Sequence, residues 1–191
     1  MAELAFNAES HTYTLDGRAL PSVTQVLDPL NELDGVPRDV LAAATEFGTH
    51  VHLACDLHDA GRLDRAALDP ALEPYLCAWE RFLAEADACV IESELRVHHP
   101  LGFAGTVDKI IMWRGKHHVL DIKSGTTVPR TWRPQTAAYR EAVLQQRLAC
   151  STVRYCVHLR GDGTYVLHKS NDPADWSVFV SALNLYRWRN S

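Results

Sequence analysis

Two carboxylates and an ammonium stand where they could act together. Asp108 closes the run Gly105-Thr106-Val107-Asp108, and Asp121 and Lys123 lie in Val119-Leu120-Asp121-Ile122-Lys123. Both runs read as strands, and residues two apart on a strand share a face, so Asp121 and Lys123 point the same way. A hairpin between the runs brings Asp108 beside them. Carboxylates that converge repel unless a positive charge sits between them. A hard divalent cation, Mg²⁺ or Mn²⁺, meets that need with one or two carboxylates and waters as ligands. Next to such an ion, an ammonium can orient an attacking water or stabilise charge on a phosphate. Asp and Lys two apart on a strand also form ordinary solvated pairs. Here, however, Asp121 follows the apolar Val119-Leu120 and so enters a strand that reads as buried.

The elements that must position these groups follow from periodicity. His11 to Leu15 and Ala19-Leu20 flank Asp16-Gly17, a strong hairpin signal. Pro21 ends the second strand, and Ser22 can cap a short helix over 23–30. Apolar residues at spacings of three and four predict helices over 38–60, closing at Gly61, and over 70–87, with Pro70 near the first turn. The period then changes to strands over 89–97, 103–113 and 117–123, the last two joined by the turn at Arg114-Gly115-Lys116. A helix over 132–148, a hairpin of 152–159 and 165–168 around Gly161-Asp162-Gly163, and a last helix over 173–189 complete the chain. The order predicts an α/β (α+β) domain, a central mixed β-sheet flanked by helices.

At 191 residues, 47% hydrophobic and 23% charged, the chain has the size and composition of one globular domain. We expect 1–37 to form an N-terminal hairpin and short helix and 38–191 the core. Cys55, Cys77, Cys89, Cys150 and Cys156 are odd in number and form no CxxC, so we expect reduced, mostly buried thiols rather than a disulfide framework or zinc knuckle. Residues 1–10 carry two acids and no basic run, and no apolar stretch approaches the roughly 20 residues of a membrane span. A cytoplasmic protein without membrane contact is expected. The net charge of −5 alone argues against nucleic acid, but residues 1–108 hold 6 Lys and Arg against 19 Asp and Glu, and residues 109–191 hold 13 against 5. Such asymmetry predicts a basic face built from the later elements, unless it is chance segregation.

Gly102-Phe-Ala-Gly-Thr-Val-Asp108, Leu120-Asp-Ile-Lys-Ser-Gly125 and Gln135-Thr-Ala-Ala-Tyr139, taken in order, resemble the RecB-like and phage exonuclease branch of the PD-(D/E)XK nucleases. Gly48-Thr-His-Val-His52 is similar to that branch's helix motif, and His11-x-Tyr13 with Leu20-Pro-Ser-Val-Thr24 to the N-terminal segment of its phage members. The resemblance runs from about residue 11 to 139 and implies a restriction-endonuclease-like core. It further implies a Mg²⁺- or Mn²⁺-dependent deoxyribonuclease, work as an exonuclease in recombination, repair or phage replication, and a bacterial or phage-infected cell as the setting. DNA is the implied partner, with a recombination or replication protein as a further candidate.

Position by position, the resemblance implies that Asp108, Asp121, the carbonyl of Ile122 and His52 bind the metal, and that Lys123 acts on the water or the phosphate. Only one of His50 and His52 can face the site, because helical residues two apart diverge. Gln135 and Tyr139, four apart on one helical face, would line the site, and Glu94 corresponds to a glutamate near the metal, with Glu92 as its rival. Some relatives carry an iron–sulphur cluster; with only Cys150 and Cys156 late in the chain, none is expected here. His98-His99 and His117-His118 are expected at hairpin ends, since adjacent strand residues face opposite ways. Arg130, Arg133 and Arg140 are the residues expected to hold DNA, the alternative being surface pairing with acids such as Glu141. A structure-specific endonuclease or resolvase, or a non-catalytic DNA-binding module, could use the same fold.

Overall fold

The computed structural model describes residues 3–8, 10–31, 36–146 and 149–191. Three short strands open the chain: β1 (Leu4–Asn7), β2 (Thr12–Leu15) and β3 (Arg18–Leu20), paired antiparallel in that order. The Asp16-Gly17 turn has both residues at positive φ, as a two-residue hairpin requires. β1 is an addition to the expected hairpin; four residues are too few to show a period. Ser22 caps α1 (Val23–Leu27) through a reciprocal pair of bonds: its hydroxyl accepts the Gln25 N–H, and the Gln25 side chain accepts the Ser22 N–H. A 3₁₀ turn over Asp28–Leu30 ends the predicted helix.

Two long helices follow, α2 (Arg38–Asp59) and α3 (Glu73–Ala86). The latter starts three residues later than predicted, because Pro74 rather than Pro70 occupies its first turn. β4 (Cys89–His99), β5 (Phe103–Trp113) and β6 (Lys116–Lys123) form an antiparallel meander. After α4 (Trp132–Gln145), β7 (Arg154–Leu159) and β8 (Tyr165–Ser170) extend the sheet to the order β4-β5-β6-β7-β8, and α5 (Ala174–Arg189) closes the chain. Residues 147–148 of the helix predicted over 132–148 lie outside the described residues. β6 and β7 run parallel, which needs a long crossover, and α4 is that crossover. The predicted mixed sheet flanked by helices is therefore the observed architecture.

The sheet divides the core between its two faces. Val107, Ile110 and Val119 pack with α1, α4 and α5 through Val23, Tyr139, Ala142, Phe179 and Leu183. Ile111, Leu120, Ile122 and Val157 pack with α2 and α3 through Val51, Cys55, Trp79 and Phe82. The small sheet joins β5 where the Ala104 N–H donates to the Pro21 carbonyl, at 3.0 Å. Cys55 and Cys156 are buried, Cys77 and Cys150 half-buried; Cys89 is exposed, contrary to the general expectation. No helix among the described residues is long and apolar enough to cross a membrane.

One charged group sits inside the second face. Lys109 is wholly buried, and its ammonium donates to Asp56 and Asp59 of α2, each at 2.5 Å, and to Ser93 of β4 at 2.9 Å. Asp59 also accepts the Trp79 indole N–H at 2.8 Å. Burial works to lower the Lys109 pKa, but the two carboxylates outweigh it and hold it above the ordinary value. Removing one member of a buried ion pair typically costs about 3–5 kcal/mol, because the remaining charge is left unpaired. Lys109→Met should therefore destabilise the fold by about that amount in urea unfolding. An unchanged midpoint would show that Asp59 escapes to water.

Candidate metal centre

The β5–β6 ladder pairs Lys109 with Leu120, and beyond it Asp108 falls opposite Asp121. There a side chain takes over from the backbone: the Asp108 carboxylate accepts the Ile122 N–H at 2.7 Å. On the other side of β5, Glu94 lies between Ser93, paired with Lys109, and Leu95, paired with Val107, and so also falls opposite Asp108. Glu94 has φ +51°, a left-handed conformation rare for a non-glycine residue and often found at functional sites. From α2, His52 brings Nε2 to 3.0 Å from the Ile122 carbonyl oxygen and Nδ1 to 3.6 Å from Asp108 Oδ2. His52, Glu94 and Asp108 each offer a ligand atom, and these lie within 4.8 Å of one another. This group could hold a metal ion.

The grouping shares His52 and Asp108 with the expected set of His52, Asp108, Asp121 and the Ile122 carbonyl, and has Glu94 where that set has the other two. Glu94 stands beside His52 and Asp108, while Asp121 turns towards Lys123, whose Nζ is 2.7 Å from its Oδ2. Asp121 thus has its counter-charge in Lys123, and the pair flanks the His52, Glu94 and Asp108 group. The Ile122 carbonyl faces His52 rather than open space. Imidazole and carboxylate donors with water access are a set that Mg²⁺ or Mn²⁺ accepts.

Lys123, on the same strand face as Asp121, also donates to Gln135 Oε1 at 3.1 Å, and Gln135 Nε2 lies 3.4 Å from the Tyr139 hydroxyl. Two residues that sequence reasoning missed support the lysine. Its ammonium lies 5.8 Å from the centre of the Trp132 ring, a cation–π contact, and the edges of His158 and His168 hold that ring. His158 is paired in register with Lys123 and hydrogen-bonds the Gly125 carbonyl at 2.5 Å, fixing the loop after the strand. A Trp-Arg-Pro-Gln start to a helix gives no hint that its indole reaches the preceding strand.

His52, Glu94, Asp108, Asp121, Lys123, Gln135 and Tyr139 all line one open cleft of about 420 Å³. Burial, then the charges of Asp108 and Asp56, push the Glu94 carboxyl up to about 7. Glu94 is also exposed along the cleft, and water entering there offsets part of the burial effect; the two acids keep the upward direction. Burial likewise raises Asp121, with Lys123 opposing and Asp108 adding to the shift. The Tyr139 phenol is raised by burial and then by Asp121 and Asp108. A divalent ion would relieve this accumulation of negative charge.

The structure does not bring the three arginines into this cleft. Arg130 and Arg133 line a separate cavity with Pro134, Asp175 and Val178, and Arg133 pairs with Asp172 and Asp175, both at 2.8 Å. Arg140 donates to the Ser151 carbonyl at 2.9 Å and pairs with Glu141. The acids that hold Arg133 come from the β8–α5 connection and the first turn of α5, and the acid that holds Arg140 is its neighbour on α4. The paired histidines also lie elsewhere: His99 stacks on Phe103, and His118 is buried against the Val153 carbonyl. His50 and Glu92 are exposed outside the cleft.

No protein-family model matches the sequence, and no curated protein sequence matches it. Among solved structures, one titled "Crystal structure of SSO0001" is similar to this chain at 15% identity, covering 73% of each chain with a TM-score of 0.40. At that level the likeness carries no argument, and the site stands on its own residues.

Two outcomes follow from the geometry. Mn²⁺ should raise the Tm of the wild-type protein and not that of Asp108→Asn, since a ligand that binds only the folded state stabilises it. Comparing Glu94→Gln with Asp121→Asn in the same titration shows which carboxylate completes the site; a full shift in all three variants would remove the metal from this cleft. Gly105 tests the tyrosine. A Cβ there would lie 2.7 Å from Tyr139 Cε1 and 3.3 Å from Val23 Cγ2. Gly105→Ala should displace that ring and cost about 1–3 kcal/mol in unfolding experiments; Gly105→Ala in a Tyr139→Phe background should be no better, because the clash is with the ring and not the hydroxyl.

Proposed function

We propose that this chain is a metal-dependent DNA nuclease of the PD-(D/E)XK type, hydrolysing phosphodiester bonds and working as an exonuclease. The observation that carries this reading is the group of His52, Glu94 and Asp108, whose ligand atoms lie within 4.8 Å of one another in the same cleft as the Asp121–Lys123 ion pair. The motifs that resemble the RecB-like and phage exonuclease branch support it, because their residues meet in that cleft.

In this reading His52, Glu94, Asp108 and Asp121 hold Mg²⁺ or Mn²⁺ between them. The ion, when bound, supplies charge for the phosphoryl oxygen and lowers the pKa of a water. Hydrolysis joins the oxygen of water to phosphorus, breaks one P–O ester bond and leaves a proton on the departing oxygen. Lys123 has three N–H donors. Gln135 takes one and Asp121 draws the ammonium towards the acids. A remaining donor can then meet the water or a phosphate oxygen. Gln135 and Trp132 restrict the lysine's rotamers, so little freedom is lost when substrate arrives. Phosphate contacts outside the cleft, for which Arg130 is a candidate, would make DNA affinity fall with salt.

The test is digestion of end-labelled single- and double-stranded DNA with Mg²⁺, Mn²⁺ or EDTA. Mononucleotide release that needs the metal supports an exonuclease; internal fragments indicate an endonuclease or resolvase on the same site. Lys123→Ala should lose at least about 100-fold in kcat while the Mn²⁺ shift in Tm persists. Binding without cleavage under every metal would leave a non-catalytic DNA-binding module.

A further inference from the structure

The cleft has walls that the chemistry above does not use. One is the small N-terminal sheet, which contributes His11 and Tyr13; the Tyr13 hydroxyl is fixed 2.8 Å from Thr106 Oγ1 of β5. Phe6, His11 and Tyr13 form an aromatic group: His11 meets Phe6 edge-on at 5.2 Å and Tyr13 edge-on at 6.2 Å. Arg96 lies over the Phe6 ring at 5.4 Å. The imidazole is thus braced while His11 itself remains exposed at the cleft. His11 has φ +49° in the turn between β1 and β2, where Gly or Asn would sit at less cost.

The facing wall is α2, which presents Thr45, Gly48 and Thr49 before His52. The two threonine hydroxyls donate back to carbonyls of their own helix. These small residues, the braced His11 ring and the acids all line the one cleft, a slot open to solvent. At about 420 Å³ the cleft matches a pocket for a single small-molecule-sized group. No arginine is among the described residues that line it, and Lys123 is its one lysine. Single strands are held in such circumstances by bases stacked on aromatic side chains, histidine included.

We propose that this slot takes one unpaired nucleotide at a DNA end, its base stacked on the His11 imidazole. His11 then favours single-stranded ends over blunt duplex. The inference rests on the nuclease reading for its substrate, and its test does not need cleavage.

The experiment measures binding by fluorescence anisotropy in Ca²⁺ for three probes: oligo-dT, an abasic strand of equal length, and a blunt duplex. Wild type should bind oligo-dT most tightly. His11→Asn, which removes the ring yet suits the left-handed backbone, should weaken oligo-dT binding about tenfold and leave the abasic strand nearly unaffected. His11→Phe, which restores a ring, should stay within about threefold of wild type on oligo-dT. Equal losses on oligo-dT and the abasic strand, or a wild-type preference for duplex, would overturn the stacking role. Cleavage of the same probes in Mn²⁺ separates the two ideas. The expected binding pattern without cleavage keeps the slot and removes the nuclease; cleavage indifferent to His11 and to the bases removes the slot alone. Neither binding nor cleavage removes both.

Discussion

The Lys109 ammonium is the fastening on which the site depends. It joins β5 to α2 through Asp56 and Asp59, and it does so inside the protein, where an unpaired charge would not be tolerated. Asp56 lies one helical turn after His52, and Asp108 is the residue before Lys109 on the opposite strand face. Fixing that one ion pair therefore sets the distance between the histidine and the carboxylate across the sheet edge. A purely apolar contact between helix and strand would allow the helix to slide by fractions of a turn. A buried ammonium with three hydrogen-bond partners does not.

Around the cleft the protein accepts an electrostatic cost. Glu94, Asp108 and Asp121 line one cleft, and Lys123 opposes only part of their charge. The carboxyls of Glu94 and Asp121 are raised, which means that the folded chain holds them less comfortably as anions than water does. Stability is sacrificed locally where a cation can restore it, and the apolar clusters on both faces of the sheet carry the burden. The left-handed backbone at Glu94 belongs to the same pattern.

Much of this was legible in the sequence, and the remainder was hidden for definable reasons. A period of two marked β4, β5 and β6, so Asp108, Asp121 and Lys123 could be placed on neighbouring strands before any coordinate was known. Four-residue spacing placed Gln135 and Tyr139 on one face of α4, and both line the cleft. The position of Asp121 relative to Glu94 was not legible, because it depends on the left-handed backbone at Glu94 and on the competing pull of Lys123. Nor could sequence show what the arginines meet: the partners of Arg133 are Asp172 and Asp175, far along the chain. Lys109 gave a signal that was open to use, a charge directly before the apolar run Ile110-Ile111-Met112 of a buried strand, which demands acidic partners.

The parallel pairing of β6 with β7 has a consequence for how the molecule is assembled. β4, β5 and β6 are joined by short turns and can pair as soon as they have been synthesised. β7 reaches β6 only after α4 has been made and laid across the sheet. The acids and His52 are thus brought together by the earlier part of the chain, while Gln135, Trp132 and His158 arrive with the later part. During synthesis an ion-binding edge can exist before the lysine beside it has been given its supports, so the nascent chain gathers its charges first and its restraint last.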